Sequence, residues 1–385
     1  MAVERRDELL PGDAGGTHHR DATISLLRHV LPLRLLQTVA TDRRVVNPDS
    51  RGFRRKSMGR LADPLRGGRK ALHSRAVSDP GPLRCGVFLP LAGLTWPDLD
   101  LRARTIERLG FHALWLDDHF WFPGEPDRAH LEVWTALTAV ACATQRLTIG
   151  PLVACHSYRS PGLLAKIAAS LAEVSRGRLR LGLGAGWMED EYRAYGYAFP
   201  SGGVRLRQLE ETIEILHRLW RDPRATFTGR YHSIEGAPAL PKPARLPIIV
   251  GGAGDRLLEM VARLADGWNC PNPAWRELAA KRSTLARCCE RIGRDPREIE
   301  VSEQVLVVVG RGERGVREAR ERAMERIGGF ARFDGDCHVG EPAEVAEALR
   351  ARQTLGVAEV AIMFGDFGSS EQLELFATEV MPLLS

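Results

Sequence analysis

From Arg84 onward, short apolar runs alternate with amphipathic stretches of 10 to 18 residues, and this alternation restricts the fold more than any other feature of the chain. An apolar run of strand length followed by a helix-length segment with one apolar face is the pattern of a βα unit. Repeated βα units build a parallel sheet. The candidate strands are Cys85–Leu89, Ala113–Leu116, Leu147–Val153, Leu179–Leu183, Ile248–Val250, Gly267–Asn269, Ile299–Val309 and Glu359–Phe364. The candidate helices are Asp98–Leu109, Glu132–Ala143, Pro161–Ser175, Arg205–Arg221, Arg256–Ala265, Trp275–Ile292, Val316–Arg326, Pro342–Leu355 and Ser370–Leu383. Eight strands in about 300 residues predict an α/β fold of the closed (β/α)8 TIM barrel type, with insertions, rather than an open doubly wound sheet. The insertions are Trp187–Val204, after the fourth strand, and Thr226–Pro247, where Thr228-Gly229-Arg230-Tyr231 has the character of a hairpin turn. Long loops at strand carboxyl ends usually cover a ligand.

Residues 1–82 stand outside this pattern and 83–385 form the barrel domain. The N-terminal segment is rich in Arg, Gly, Ser and Pro, and its one apolar stretch, Ile24 to Leu36, is interrupted by Pro32. It cannot bury enough apolar area to offset its ordering entropy, so a disordered extension is expected. Glu4, Asp7, Glu8 and Asp13 argue against a targeting peptide. The extension also explains the charge of the chain. Residues 1–84 hold 17 Lys and Arg against 9 Asp and Glu, whereas the rest holds 37 against 40, which gives no argument for nucleic acid as a partner. The seven cysteines form no C-x-x-C pair, consistent with a reducing, cytoplasmic setting. No apolar run reaches the roughly 18 residues of a membrane span, so no membrane partner is expected.

The stretch Ala113-Leu114-Trp115-Leu116-Asp117-Asp118-His119-Phe120 runs from an apolar strand directly into two carboxylates and an imidazole. In a barrel the strand carboxyl ends line the active site, so this cluster is a candidate for chemistry. Side chains alternate along an extended segment, which sets Trp115, Asp117 and His119 on one side and Leu116 and Asp118 on the other. An imidazole beside a carboxylate serves as acid, base or hydrogen-bond donor. The plainer alternative makes Asp117 or Asp118 a loop cap and His119 a satisfied polar residue. Gly182, Gly184 and Gly186 share one face of the fourth strand, leaving either tight packing or room for a flat ring. Pro247 to Asp255 feeds an apolar strand into a glycine turn and then a helix, an arrangement that either surrounds a phosphate with backbone N–H groups or is a plain tight turn. The stretch Asp334-Gly335-Asp336-Cys337-His338 has a metal-like composition but fits no ligand spacing, so a loop and no metal are expected.

Taken together, Leu114 to Phe120, Leu147-Thr148-Ile149-Gly150 with Tyr158-Arg159-Ser160-Pro161, Arg176-Gly177-Arg178 leading into Gly182–Trp187 with Glu191-Tyr192, Pro247–Gly254, Ala265-Asp266-Gly267-Trp268, and Val339-Gly340-Glu341-Pro342 resemble the luciferase-like monooxygenase superfamily, in its branch of oxidoreductases dependent on the deazaflavin coenzyme F420. The motifs run in family order over residues 84–385. The resemblance implies a barrel holding a flavin-type ring at its mouth, with His119 as the active-site histidine and Asp118 beside it. It implies a non-prolyl cis peptide at Leu152–Val153, with Leu152, Val153, Cys155, Gly184, Gly186 and Trp187 around the ring. Gly251, Gly252, Ala253 and Gly254 would hold the cofactor phosphate. It further implies hydride transfer between F420 and a small-molecule substrate, and a homodimer. An FMN-dependent two-component monooxygenase and a non-catalytic flavin-binding barrel are the alternatives. Sugar-phosphate-oxidising members of the branch place Glu where this chain has Trp187, which points to a different substrate or to the reductase direction.

Overall fold

The computed structural model describes residues 81–328 and 337–384. Expectations for residues 1–80 and for Asp334-Gly335-Asp336 fall outside the described residues.

The strands are β1 (Arg84–Leu89), β2 (Ala113–Leu116), β3 (Thr148–Pro151), β4 (Ala154–Cys155), β5 (Leu181–Gly184), β6 (Ala225–Thr228), β7 (Ser233–Ala237), β8 (Ile248–Gly251), β9 (Gly267–Cys270), β10 (Glu300–Val309), β11 (Cys337–Gly340) and β12 (Glu359–Phe364). The helices are α1 (Trp96–Arg108), α2 (Val133–Ala143), α3 (Pro161–Val174), α4 (Glu189–Ala194), α5 (Gly202–Arg221), α6 (Asp255–Leu264), α7 (Leu278–Arg291), α8 (Gly312–Ile327), α9 (Pro342–Thr354) and α10 (Ser370–Leu375). Local chemistry sets the boundaries. Thr95 and Asp98 form a reciprocal capping box at the start of α1, and Pro97 sits in the first turn, where its missing N–H is no loss. Leu99, Ala103 and Ile106 then fall on one side and are buried.

All pairings in the main sheet are parallel, and its order is β3-β2-β1-β12-β10-β9-β8-β5-β4. The ring closes where the Ile149 amide donates to the Arg178 carbonyl (3.1 Å) and the Arg180 amide donates to the Ile149 carbonyl (2.9 Å). β3 and β4 are two pieces of one barrel strand, interrupted at the cis Leu152–Val153 peptide. The barrel therefore has the eight positions expected, with Leu147–Val153 split rather than continuous. The expected hairpin is present as β6 and β7, antiparallel and outside the barrel.

Because the barrel strands are parallel, every strand start lies at one end and every strand end at the other. Trp115 fills the interior and donates from Nε1 to Glu359 Oε1 (2.7 Å), lying over Gly150, where an added Cβ would fall 2.1 Å from the Arg180 carbonyl. Glu359, Glu300, Arg84 and Arg180 gather at the starts of their strands and form the barrel floor.

Several boundaries differ from the sequence expectation. The helix expected over Trp275–Ile292 begins as a 3-10 segment at Asn272–Glu277 and becomes α-helical only at Leu278. The last expected helix stays regular over Ser370–Leu375, widens into a π turn over Phe376–Val380 and tightens over Met381–Leu384, around Pro382, which has no N–H to continue the ladder. Cys337 and His338 lie in β11 rather than a loop, because the extended end of β10 pairs with them from Leu306 to Val309. Among the described residues no cluster of His, Cys, Asp and Glu could hold a metal, and no helix is long and apolar enough to cross a membrane.

Candidate active site

The rim at the strand ends collects the segment after β2, the end of β4 and the turn that follows it, the insertion after β5 and the loop after β8. His119 sits there, with its side chain 19% exposed, and its Nδ1 lies 3.0 Å from Glu191 Oε2. Glu191 comes from α4, in the first insertion, and is fully buried. Its Oε2 also accepts from the Tyr158 hydroxyl (2.5 Å), and its Oε1 accepts from the Phe120 amide. Burial alone would raise a carboxyl pKa. Here the bonds and charge of His119, with the Tyr158 and Phe120 donors, outweigh burial and hold Glu191 below the usual carboxylate range. Burial likewise opposes a charge on His119, but the Glu191 bond and the charges of Asp117, Glu191 and Asp118 win and raise its pKa. Among the described residues nothing bonds to His119 Nε2.

The carboxylate partner of the imidazole is thus Glu191, not the aspartates adjacent in sequence. Asp117 accepts from the Leu91 amide (2.9 Å) and pairs with His130 Nε2 (3.0 Å). Burial pushes its pKa up to about 6, partly offset by the charge of His119. Burial, reinforced by the charge of His119, holds His130 down at about 4, so its ring is the neutral donor of that pair. Asp118, expected beside His119 as a catalytic residue, has its oxygens engaged elsewhere. Arg159 grips it through both terminal nitrogens (2.7 and 2.9 Å), and the Cys155 amide donates to it (2.9 Å). That bidentate pair ties the segment after β2 to the end of β4.

The expected ring-site residues assemble on the same rim. Val153, just past the cis bond, presses into the glycine face: an added Cβ would come within 2.5 Å of its side chain at Gly184 and within 2.8 Å at Gly251. The side-chain-free stripe of β5 therefore accommodates Val153, while Leu152 is buried in the main core. Cys155 Sγ lies 2.9 Å from the Tyr192 hydroxyl, and burial pushes its thiol up to about 11, so it is an inert packing group. Gly186 adopts φ 76° beside that hydroxyl, which would lie 1.9 Å from an added Cβ. Trp187 is 59% exposed and meets the His119 ring edge-on at 5.6 Å. Gly251, Gly252, Ala253 and Gly254 lead into α6, and Gly254 caps that helix without a side-chain bond. The first-turn amides of α6, which like those of any helix have no intrahelical acceptors, therefore have no capping side chain, and Asp255 stands among them. Trp268 Nε1 donates to the Gly252 carbonyl (2.6 Å) and pins the turn.

Sequence reasoning missed the roles of Glu191 and Tyr158. Glu191 sits in the acidic run Glu189-Asp190-Glu191, of which only Glu191 turns inward, and the expectation of an irregular insertion hid the helix that selects it. An aromatic cluster packs this insertion onto the rim: Phe120 stacks on Tyr195 at 4.0 Å, and the Tyr197 hydroxyl donates to the Tyr158 carbonyl (3.2 Å).

Comparison with known proteins gives the same picture. The sequence profile of the luciferase-like monooxygenase family matches residues 84–332. An F420-dependent glucose-6-phosphate dehydrogenase of Nakamurella multipartita is 31% identical over 194 residues, covering 49% of this chain and 56% of the relative. An F420-dependent hydroxymycolic acid dehydrogenase of Mycobacterium tuberculosis is 29% identical over 239 residues, covering 60% and 64%. The chain thus spans between about half and two thirds of the length of these curated relatives. In fold it is similar to an F420-dependent secondary alcohol dehydrogenase solved with an F420-acetone adduct (TM-score 0.71, 20% identity, 79% of this chain and 99% of that one). It is also similar in fold to a monooxygenase from Streptomyces bottropensis (TM-score 0.68, 21% identity, 79% and 100%). A profile match over more than half of the sequence is decisive: the chain belongs to the luciferase-like monooxygenase family.

Proposed function

We propose that the chain is an oxidoreductase that moves a hydride between coenzyme F420 and an organic small-molecule substrate at the barrel mouth. The observation that carries this reading is His119. Its Nδ1 is pinned by a buried carboxylate, while its Nε2 has no protein partner among the described residues, on the rim that also holds Val153 and the glycine turn. The F420-dependent dehydrogenases among the relatives support the choice of cofactor.

The residues fit such a cofactor. The amides at the start of α6, with Gly251, Gly252, Ala253 and Gly254, suit a phosphate, and the wall at Val153 offers an apolar surface for a flat ring. F420, when bound, supplies a hydride donor or acceptor at carbon 5 of its ring. The work of the chain is positioning and proton handling. His119 Nε2 gives a proton to, or takes one from, the substrate oxygen, and Asp118 with Arg159 holds the wall through Cys155. Trp187 sets an aromatic surface beside the imidazole, which favours a substrate other than a sugar phosphate. A second reading on the same fold, which monooxygenases share, is FMN-dependent oxygenation.

Titration of the purified protein with oxidised F420 and with FMN, followed by cofactor fluorescence, separates the two readings. Saturable binding of F420 that exceeds FMN binding is expected. Tight FMN binding with oxygen uptake, and no binding of F420, would overturn the proposal.

A further inference from the structure

The geometry points to Glu191 as the positioning residue that holds His119 as a proton donor, and hence to a reaction that runs toward reduction of the substrate. The direction of reaction rests on the F420 reading above; the role of Glu191 does not.

Three features carry the inference. First, a carboxylate that already accepts from the Tyr158 hydroxyl and the Phe120 amide is held ionised and can only accept, so His119 Nδ1 must carry its hydrogen. That fixes Nε2 as the one exchangeable position, facing the rim. Second, the groups around the imidazole are mostly anionic. Asp117 belongs to its own segment and Glu191 to α4; Asp118 is balanced by Arg159, His130 is neutral, and Tyr158 donates away from the ring to Glu191. No cation makes a contact with it among the described residues. Third, Glu191 is fully buried, so its charge acts on the imidazole with little screening by solvent. The ring therefore holds its second proton more firmly than an ordinary imidazole, and in that protonated form it is competent as an acid.

In the reducing direction, a substrate carbonyl carbon gains a hydride, with its electron pair, from the C–H bond at carbon 5 of reduced F420, which becomes oxidised. The carbonyl π pair moves to oxygen, and a new O–H bond forms with the proton of His119 Nε2. The N–H pair stays on the ring, and His119 is left neutral. For a base in the opposite direction the same environment is a handicap at neutral pH, because the proton must first leave.

The test begins without cofactor. Histidine-labelled protein is titrated by nitrogen NMR, with His119→Asn used to identify the signal. In the wild type, His119 should titrate above the ordinary imidazole value of about 6.5 and carry hydrogen on Nδ1 below and above its transition. Glu191→Gln, which can turn an amide donor toward Nδ1, should lower the transition at least tenfold in proton affinity, with Glu191→Asp restoring part of it and circular dichroism unchanged. An unmoved transition in Glu191→Gln overturns the role of Glu191 even if F420 binds. The second arm uses reduced F420 with 2-cyclohexen-1-one and with cyclohexanone as probes, against oxidised F420 with cyclohexanol. Turnover of a ketone probe that falls as pH rises through the His119 transition, on a limb that shifts down in Glu191→Gln, is the expected result. Turnover confined to the alcohol and rising with pH overturns the direction. Failure of F420 to bind removes the functional reading and the direction with it, while the NMR arm still decides the role of Glu191.

Discussion

The floor and the mouth of the barrel both concentrate charge, yet only one of them carries the proposed chemistry. At the floor, Arg84 contacts Glu300 (2.7 Å), Arg180 bridges Glu300 and Glu359 (3.1 Å to the latter), and Trp115 donates to Glu359. The acids and bases there answer one another, and Glu359 has no exposed surface at all. At the mouth, Asp118 with Arg159 and Asp117 with His130 are equally saturated, but the chain from Tyr158 through Glu191 ends on an imidazole that, among the described residues, keeps one nitrogen without a protein partner. Density of titratable groups therefore does not separate function from stability. What separates them is whether the network closes on itself or stops one bond short.

The sharpest way to break this contrast is to remove the open end. His119→Ala should cost about 100-fold to 10,000-fold in F420-linked turnover, the range for a positioned acid or base, with the melting temperature little changed. The opposite pattern is expected at the floor. Glu359→Gln removes the buried one of the two carboxylates that Arg180 and Arg84 share, leaving them Glu300 alone, and a broken buried pair costs up to about 3–5 kcal/mol. Urea unfolding should show that loss while turnover per folded molecule stays within about twofold. A floor variant that kept its stability and lost its turnover would end the distinction.

A smaller pair of changes tests the barrel wall at two heights. Gly150→Ala puts a Cβ against the Arg180 carbonyl, deep in the barrel, and Gly184→Ala puts one against Val153 at the rim. Overpacking typically costs about 1–3 kcal/mol. Both variants should melt earlier, but only Gly184→Ala should weaken F420 binding, because only there is the displaced group part of the proposed ring wall. Equal loss of cofactor affinity in both would mean that the rim holds no special position.

The same contrast explains how much could be read from sequence. The run from an apolar strand straight into Asp117-Asp118-His119 placed the histidine at the mouth, where the parallel strands carry it, whereas the alternation that set Asp117 on its side did not find its carboxylate partner. The strands were legible because apolar runs such as Glu359–Phe364 and Ala113–Leu116 are buried along their whole length. Contacts between distant segments were not legible. Glu191 lies 72 positions from His119, within a run of three acids that differ only in which way a short helix turns them. The break between β3 and β4 was not legible from periodicity, because Leu147 to Val153 reads as one apolar run around Gly150 and Pro151, but the family resemblance placed the cis peptide at Leu152–Val153, where it lies. The floor network was missed for a related reason. Arg84, Arg180, Glu300 and Glu359 each stand at or next to the start of a strand, where a charged residue looks like an ordinary exposed end.

Two histidines, one at each end, give the finest test, because their environments push them in opposite directions. His112 at the floor is held down at about 4, by burial first and then by the charges of Arg84 and Arg180, although Glu359 lies 3.7 Å away. A histidine with a depressed folded value contributes stability that is present above its unfolded value of about 6.5 and is lost as pH falls toward the folded one. His119 at the mouth is raised, by its carboxylates against the opposition of burial. Its contribution is complete below about 6.5 and is lost as pH rises through the raised value. Urea midpoints measured from pH 4 to pH 9 should therefore show the two effects on opposite limbs. His112→Asn should flatten the wild-type decline between pH 6.5 and 4, and His119→Asn should flatten the decline above neutrality. The His112 effect should be the smaller, since its side chain is 35% exposed and solvent screens the two arginines that act on it. If both substitutions changed the same limb, the two ends of the barrel would share one electrostatic environment, and the separation of a closed floor from an open mouth would fail.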